Sequence, residues 1–296
     1  MCEIFASFPA KILSKLRDQQ HKPGLYVVAT PIGNIFDISL RALYILSQSK
    51  RIFAEDTRQS GKLLKFYGLE PRLVCCHEHN ELSVTRMIAP QEIYSLISDA
   101  GTPLISDPGY RLLNWCLQNS VDVFPIPGAC SPICALSISG LPTDKFMFAG
   151  FLAPRGNSKI AQLRALKDQS ATLIFLEAPT RVVDTLKKME EIFGNRYACI
   201  CRELTKFFEE TKRGTLVELY DYFSQKKPTG EFIIVVAGNC VAPLIDEAEL
   251  TFYLKNALQT SLKDAVRETS EKFGVNKNII YQMALALKKN TGDDNQ

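Results

Sequence analysis

The sequence predicts an α/β fold: two α/β domains in tandem, followed by a small helical region. Three observations predict it. Apolar runs of strand length alternate with helix-period segments over residues 24–143. A second set of such runs begins after the punctuated stretch SGLPTDKF at 139–146. Beyond Gly238 the strand-like runs stop and three helix-length segments follow. Strand alternating with helix implies a largely parallel sheet, with functional loops after the C-terminal strand ends.

Residues 1–23 read as a variable extension with a short helix around 10–17. In the first domain, 24–143, the strand runs are LYVVAT (25–30), RIFAEDT (51–57), RLVCCHEH (72–79), IYSLISDAG (93–101) and VDVFPIPG (121–128). Between them, 37–47 places Ile38, Leu40, Ala42, Leu43, Ile45 and Leu46 at helical spacing, and 110–118 behaves alike. The second domain, 144–239, carries FMFAGFL (146–152), TLIFLEAP (172–179), YACICREL (197–204) and EFIIVVAG (231–238). In the last region, 240–296, helices are expected over 247–258, 261–273 and 276–289. Gly274 would serve as C′ residue and Asn276 as N-cap, the outline of a helix-turn-helix.

Composition narrows the class. Hydrophobic residues make up 46% and charged residues 23%, as in soluble globular proteins. No apolar stretch reaches the roughly 18 residues that span a bilayer, and no secretory leader is read, so no membrane partner is expected. The nine cysteines include no C-x-x-C pair, which points to free thiols in a reducing, cytoplasmic setting rather than a disulfide framework or a zinc site. A net charge of +3 implies no nucleic-acid partner by itself; an RNA-binding case has to rest on local patches.

The chemistry is expected in the loops. In ATPIGN (29–34), Pro31 and Gly33 break the strand, and Asn34 or Asp37 can cap the next helix. This is either a plain turn or backbone passing close under a ligand. No G-x-G-x-x-G follows a strand and no P-loop occurs, which disfavours a dinucleotide or nucleoside-triphosphate site. AEDTR (54–58) clusters Glu55, Asp56 and Arg58, as an internal Asp–Arg pair or as a site. His77 and His79 of HEHN would point the same way on a strand, but no third metal ligand is signalled, so they read as a polar pair lining a cleft. SDAGTPLISDPG (98–109) holds Asp99 and Asp107 and no basic residue. Such a loop repels phosphate and suits ribose hydroxyls or a cation; S-adenosyl-L-methionine offers both, although acidic loops also serve as solvated turns. PIPGACS (125–131) turns into an apolar helix. LEAPTR (176–181) and RELTKFFEE (202–210) end two strands. On a helix, Glu203, Lys206 and Glu210 would be surface ion pairs; at a strand end they would line a cleft.

Taken in order, YVVATPIGNIFDISLRAL, AEDTR, HEHNE, SDAGTPLISDPGYRL, PIPG, SGLPTDKF, RELTKFFEE and RGTL closely resemble the ribosomal RNA small subunit methyltransferase I family, within the tetrapyrrole methylase superfamily of class III methyltransferases. The resemblance spans about residues 24–238, and the last fifty residues look like that family's C-terminal helix-turn-helix. Two motifs depart from the pattern. Ala129 and Cys130 stand where the family often has Pro-Ser, and Ala178 and Thr180 break its Glu-Ser-Pro-His-Arg. The second change removes a histidine, which argues against an indispensable imidazole there. The segment between Asn80 and Ile93 also looks shorter than usual.

The resemblance implies a cofactor cleft between the two domains, S-adenosyl-L-methionine as cofactor, a homodimer, and 2′-O-methylation of a cytidine in the decoding centre of 16S ribosomal RNA, free or in the small ribosomal subunit. The family's cofactor contacts map onto Pro31, Asp99, Thr102, Pro103, Leu104, Ile105, Cys130 and Ser131, with Leu176 and Ala237 closing over the adenine. A sulfonium leaves readily, so positioning can supply on the order of 7–11 kcal/mol of the barrier. A ribose hydroxyl is a poor nucleophile and a helper is useful. The candidates are Asp56, His77, Glu78, His79, Glu203 and Lys206, with a group from AEDTR or HEHNE favoured as base and Lys206 as electrostatic helper. The alternative is no dedicated base. Arg58, Lys206, Lys277, Lys288 and Lys289 are the expected RNA contacts, although the C-terminal helices could instead cap the second domain. A corrin-precursor methylase and a catalytically silent RNA-binding relative are the competing functions.

Overall fold

The computed structural model describes residues 14–16, 18, 21–239, 247–259, 261–273 and 277–290. The first sheet contains β1 (Gly24–Val28), β2 (Arg51–Ala54), β3 (Leu73–Cys75), β4 (Ile93–Ile97) and β5 (Val123–Ile126) in the order β3-β2-β4-β1-β5. Every pairing in it is parallel. β1 is buried along its whole length, the pattern of a central parallel strand covered on both faces. Its alternating side chains feed two cores. Tyr26 and Val28 join Ile52, Ala54 and Ile97 on one face, while Leu25 joins Phe53, Tyr94 and Leu96 on the other.

Helix α1 (Leu40–Gln48) starts three residues later than expected. Ser39 Oγ accepts from the Ala42 N–H at 3.0 Å and is the cap, whereas Asn34 Oδ1 accepts from the Phe36 N–H at 3.1 Å inside the preceding loop. Ala42, Leu43, Ile45 and Leu46 form its buried stripe. Helix α2 (Thr57–Phe66) is capped by Asp56, whose Oδ1 accepts from the backbone of Arg58 at 2.8 Å and of Gln59 at 3.4 Å. A short α3 (Glu81–Val84) supplies the buried Glu81, which accepts from the Arg111 and Leu112 N–H groups and so caps α4 (Tyr110–Gln118). α5 (Ser131–Ser139) ends on Gly140 at φ 79°.

The second sheet holds β6 (Phe146–Phe151), β7 (Thr172–Glu177), β8 (Tyr197–Arg202), β9 (Glu210–Thr215) and β10 (Phe232–Val236) in the order β6-β7-β10-β8-β9. Only β6 and β7 run parallel; β10 is antiparallel to β7 and β8, and β9 to β8. The reason is local. The chain leaves β8 through a short loop and returns at once, a connection open only to antiparallel strands. Residues 202–210 therefore form a strand end and a turn, not a helix face. α6 (Gly156–Leu166), α7 (Val182–Phe193) and α8 (Leu216–Ser224) cover one face with Leu163, Leu186, Met189, Leu219 and Phe223. On the other face Ile174, Cys199, Cys201, Ile233 and Val235 pack against Ala135 and Leu136 of α5 and against Ile32. That contact joins the two sheets.

The residues up to Gly238 form one compact unit and the later ones another. In the later unit, α9 (Glu247–Ala257), α10 (Leu262–Phe273) and α11 (Lys277–Asn290) share a core of Leu250, Leu254, Val266, Phe273, Ile280 and Ala284. Gly274 and Asn276, expected at the turn, lie outside the described residues. At the other end of the chain, residues 14–16 are helical, and Leu16 packs into the first core.

Candidate active site

The chain steps from β1 to β2 in one direction across the first sheet and from β4 to β5 in the other. The order therefore reverses beside β1 and β4, and ligands of open α/β sheets bind outside the C-terminal strand ends at such a point. The loops there are stitched together. The Thr30 N–H donates to Gly101 O at 2.8 Å, the Gly101 N–H returns to Thr30 O at 3.1 Å, and the buried Thr30 hydroxyl donates to Ser98 O at 3.2 Å. The Thr102 hydroxyl donates to Ala129 O at 3.0 Å, which ties in the loop after β5. The Asp56 N–H donates to Asp99 Oδ1 at 3.2 Å, which ties in the loop after β2.

This arrangement brings Pro31, Asp99, Thr102, Pro103, Leu104 and Ile105 to one mouth. Cys130 and Ser131 stand at its edge, Cys130 as N-cap of α5 and Ser131 as its first residue. Pro103 is buried, whereas Asp99 and Ile105 face solvent. Leu104 and Ser106 hold φ of 73° and 69°, a left-handed conformation that costs a non-glycine residue roughly 1–3 kcal/mol and collects at ligand loops.

Charge is concentrated at the same mouth. Burial pushes the Asp107 carboxyl up to about 6, and the nearby charges of Glu55 and Asp99 add to the shift against a hydrogen bond from Ser98. Glu55 is also raised, first by burial and then by Asp99 and Glu78, with His77 opposing. Asp99, although it reaches solvent, is raised by partial desolvation among its neighbours, against the hydrogen bond from the Asp56 amide. These carboxylates share space with too little positive charge to compensate them. Glu55 lies in AEDTR and Asp107 in SDAGTPLISDPG, but their coupling across separate loops is a tertiary fact.

His77 and His79 do not share a strand face, because β3 stops at Cys75 and a turn follows. The His77 N–H donates to Asn80 Oδ1 at 2.8 Å, and the His79 N–H donates to His77 Nδ1 at 3.3 Å. Arg58 is exposed on the first turn of α2, and Asp56 is its helix cap rather than its ion-pair partner.

The β8–β9 loop closes on the first sheet from the side. Lys206 Nζ lies 3.0 Å from Glu203 Oε1 and 3.1 Å from Glu231 Oε2. The Asn34 N–H donates to Thr205 Oγ1 at 3.1 Å, and a Cβ on Gly33 would come within 2.5 Å of Lys206 Cγ. Burial opposes the charge on Glu203, yet the Glu231 amide and Lys206 hold its pKa below the usual range. Burial likewise opposes the charge on Lys206, yet Glu203 and Glu231 hold its pKa above that of a free lysine. Glu231, one residue before β10, carries no signal in the sequence for this role. Glu210 belongs elsewhere: it accepts from the Tyr222 hydroxyl at 2.5 Å and pairs with Arg202 and Lys226.

Two expected contacts separate. Ile233 pairs with Leu176 and Val236 with Leu173, so Ala237 lies four residue steps from Leu176, roughly 13 Å along the strands. Leu176 shares its end of the sheet with Glu203 and Glu231; Ala237 sits at the other end, because β10 runs antiparallel to β7.

In the later unit, Lys263, Arg267, Lys277 and Tyr281 surround a cavity of ≈ 380 Å³ floored by Leu262 and Val266. Arg267 also pairs with Asp264 at 3.0 Å. The side chains of Lys288 and Lys289 lie outside the described residues.

Comparison with known proteins supplies the family. Residues 24–220 match the model of the Tetrapyrrole (Corrin/Porphyrin) Methylases, and residues 246–288 match that of the RsmI C-terminal HTH domain. The ribosomal RNA small subunit methyltransferase I of Mesorhizobium japonicum is 43% identical over 279 residues, covering 92% of this chain and 95% of that protein. The protein of the same name from Pseudomonas aeruginosa is 42% identical over 273 residues, covering 88% and 96%. Among solved structures, diphthine synthase matches with a TM-score of 0.58 at 16% identity, over 72% of this chain and 89% of that one. A cobalt precorrin-4 methyltransferase matches at 0.54 and 16%, over 72% and 94%. Those two likenesses speak to fold alone. Identity above 40% across nearly the whole length decides the matter: this chain belongs to the ribosomal RNA small subunit methyltransferase I family, a family of methylases with the tetrapyrrole methylase fold.

Proposed function

We propose that this enzyme uses S-adenosyl-L-methionine to methylate the ribose 2′-hydroxyl of a cytidine in the decoding centre of 16S ribosomal RNA. The observation that carries this is similarity that covers both the methylase segment and the C-terminal helices. A corrin-precursor methylase is not favoured, since the solved corrin enzyme shares the fold at only 16% identity. Intact cofactor loops speak against a silent RNA-binding relative.

The residues at the mouth fit the cofactor. Its sulfonium and ammonium are cationic, and Glu55, Asp99 and Asp107 form an undercompensated acidic site with raised pKa values. When bound, S-adenosyl-L-methionine supplies an activated methyl group on a sulfur that is a good leaving group. Asp99 and the 102–105 backbone hold and orient it, Pro31 and Pro103 shape the floor, Cys130 and Ser131 border it, and Leu176 offers an apolar face to the adenine.

Proton removal from the ribose falls to the 54–58 segment. Glu55 is the carboxylate there whose raised pKa brings it closer to the working pH. Asp56 Oδ1 is committed to capping α2. His77, whose Nδ1 accepts from His79, serves as a donor through its other ring nitrogen. Glu78 contributes charge to the cluster. Glu203 is held ionised by Lys206, and the Lys206 ammonium acts as the electrostatic helper.

Arg58 and Lys277, the latter grouped with Lys263 and Arg267, contact RNA phosphate. The enzyme works as a C2 homodimer in the cytoplasm; the exposed Phe146, Met147 and Phe151 of the edge strand β6 supply an apolar surface for a second copy. Radiolabelled cofactor offered with small subunits, free 16S RNA or a corrin precursor tests the proposal. Label on a cytidine ribose is expected. Label on the corrin precursor, or none on any RNA, overturns it.

A further inference from the structure

Phe207 and Phe208 follow Lys206 in the β8–β9 loop. They are 94% and 66% exposed, with ring centroids 5.0 Å apart and planes at 87°. A bare phenyl ring forgoes about 1.5–3 kcal/mol of burial, yet this loop holds its backbone firmly. The Lys206 N–H donates to Glu203 O at 3.0 Å, the Glu209 N–H to Lys206 O at 3.1 Å, and the Thr205 N–H to Glu209 Oε2 at 2.6 Å. Glu203 and Thr205 adopt left-handed φ of 50° and 65° to make the turn. The loop abuts residues 33–34, and two residues further on Phe36 is 80% exposed.

The surroundings decide what covers these rings. Charged side chains, Lys206 and Glu209, flank the pair, so it lacks the apolar continuity of a protein interface. Lys206 is already balanced by Glu203 and Glu231, so the loop has little free positive charge to grip phosphate. A ligand held here is held by its flat faces. RNA read in sequence is read as splayed, single-stranded bases stacked on aromatic side chains.

Resting on the family's ribosomal RNA substrate, we propose that Phe207 and Phe208, with Phe36 on the abutting loop, form a stacking platform for unstacked bases flanking the target nucleotide. The platform positions the substrate strand; it touches neither the methyl donor nor the reacting hydroxyl. Base–aromatic stacking of about 1–3 kcal/mol per base corresponds to roughly 5- to 150-fold in affinity.

The test pairs two measurements on the full chain. In the first, a single-stranded oligoribonucleotide carrying 2-aminopurine beside the target cytidine is titrated with enzyme. Stacking quenches the probe with the native protein and with the Phe207→Tyr/Phe208→Tyr variant, whereas Phe207→Ala/Phe208→Ala loses the quench and at least fivefold in affinity. In the second, methylation of small subunits shows KM raised by the alanine pair with the affinity for S-adenosyl-L-methionine unchanged. Equal quenching by the alanine pair overturns the platform, as does full rescue by Phe207→Leu/Phe208→Leu, or a shift of the alanine pair from dimer to monomer. Native enzyme that quenches the probe but methylates no RNA refutes the functional proposal instead and leaves the platform standing.

Discussion

The loop after β4 and the loop between β8 and β9 invite comparison. Each bends through two non-glycine residues in left-handed conformation, Leu104 and Ser106 in one, Glu203 and Thr205 in the other. Each carries carboxylates. Their electrostatics are opposite. Burial, with Glu55 and Asp99 adding, pushes Asp107 up to about 6, whereas Glu203 is held below its usual range by Lys206 and the Glu231 amide. A carboxylate given its own lysine fixes structure. Carboxylates without one bind protons more tightly, as Glu55, Asp99 and Asp107 do.

The largest effect is expected where the loop after β1, which Thr30 and Gly101 stitch to the loop after β4, meets the β8–β9 loop. Gly33→Val drives a branched side chain into Lys206 Cγ, Thr205 Oγ1 and the Leu204 carbonyl, all within 2.9 Å of the first added carbon. Misplacing one loop against the other by about 1 Å should cost roughly 100-fold in kcat/KM. Steady-state methylation with circular dichroism checks this, and native-like activity would show that the two loops act independently.

Next comes the acidic loop itself. Asp99→Ala combined with Pro103→Ala should weaken S-adenosyl-L-methionine binding about tenfold or more, roughly 1.4 kcal/mol. Calorimetry reads it; unchanged affinity removes the cofactor from this mouth.

The contrast also predicts a pH signature. A cation prefers ionised Asp107, so cofactor affinity should fall as pH drops below about 6, and Asp107→Asn should flatten that fall. Stability runs the other way. A carboxyl whose folded pKa is raised binds its proton more tightly when folded, so its contribution is fully present below the unfolded value and is lost as pH rises to about 6. Melting scans from pH 4 to 7 on both proteins separate the two trends.

A smaller effect is expected behind Glu203. Gly230 holds φ 89°, and an added Cβ would lie 2.6 Å from Glu203 Cδ. Gly230→Ala should cost about 1–2 kcal/mol from backbone handedness alone and should loosen Lys206. Thermal unfolding measures the first, and the RNA-dependent KM the second. The smallest effect belongs to the later unit. Lys263→Ala with Lys277→Ala should lower the salt slope of RNA binding by roughly 0.7–0.9 per lysine and leave cofactor affinity alone.

Much of this was written locally. β1 and β10 are continuous apolar runs and β4 is broken only by Ser95, the pattern of doubly covered strands, and α1, α4 and the three C-terminal helices follow from apolar spacing. The SDAGTPLISDPG loop declared its acidity and its turns. What stayed hidden was non-local. β9 is ETKRGT, a polar edge strand whose outward side chains carry no hydrophobic period, so neither its pairing with β8 nor the mixed sheet is legible from its residues. Sequence spacing likewise could not tell that Ala237 stands at the far end from Leu176, because strand direction is set by the connection and not by the strand.

The sequence by itself determined which segments bury apolar surface, where the chain must turn, and which loops carry charge, since each depends on a residue and its near neighbours. Only the tertiary structure decided how those charges behave. Asp107 is raised first by burial and then by Glu55, which arrives from the end of β2, and by Asp99, which its own loop folds back beside it, and Glu203 is lowered because Glu231 arrives from the start of β10. Electrostatic energy depends on distance in space and on local burial, and the chain fixes neither until its two sheets have closed on Ile32.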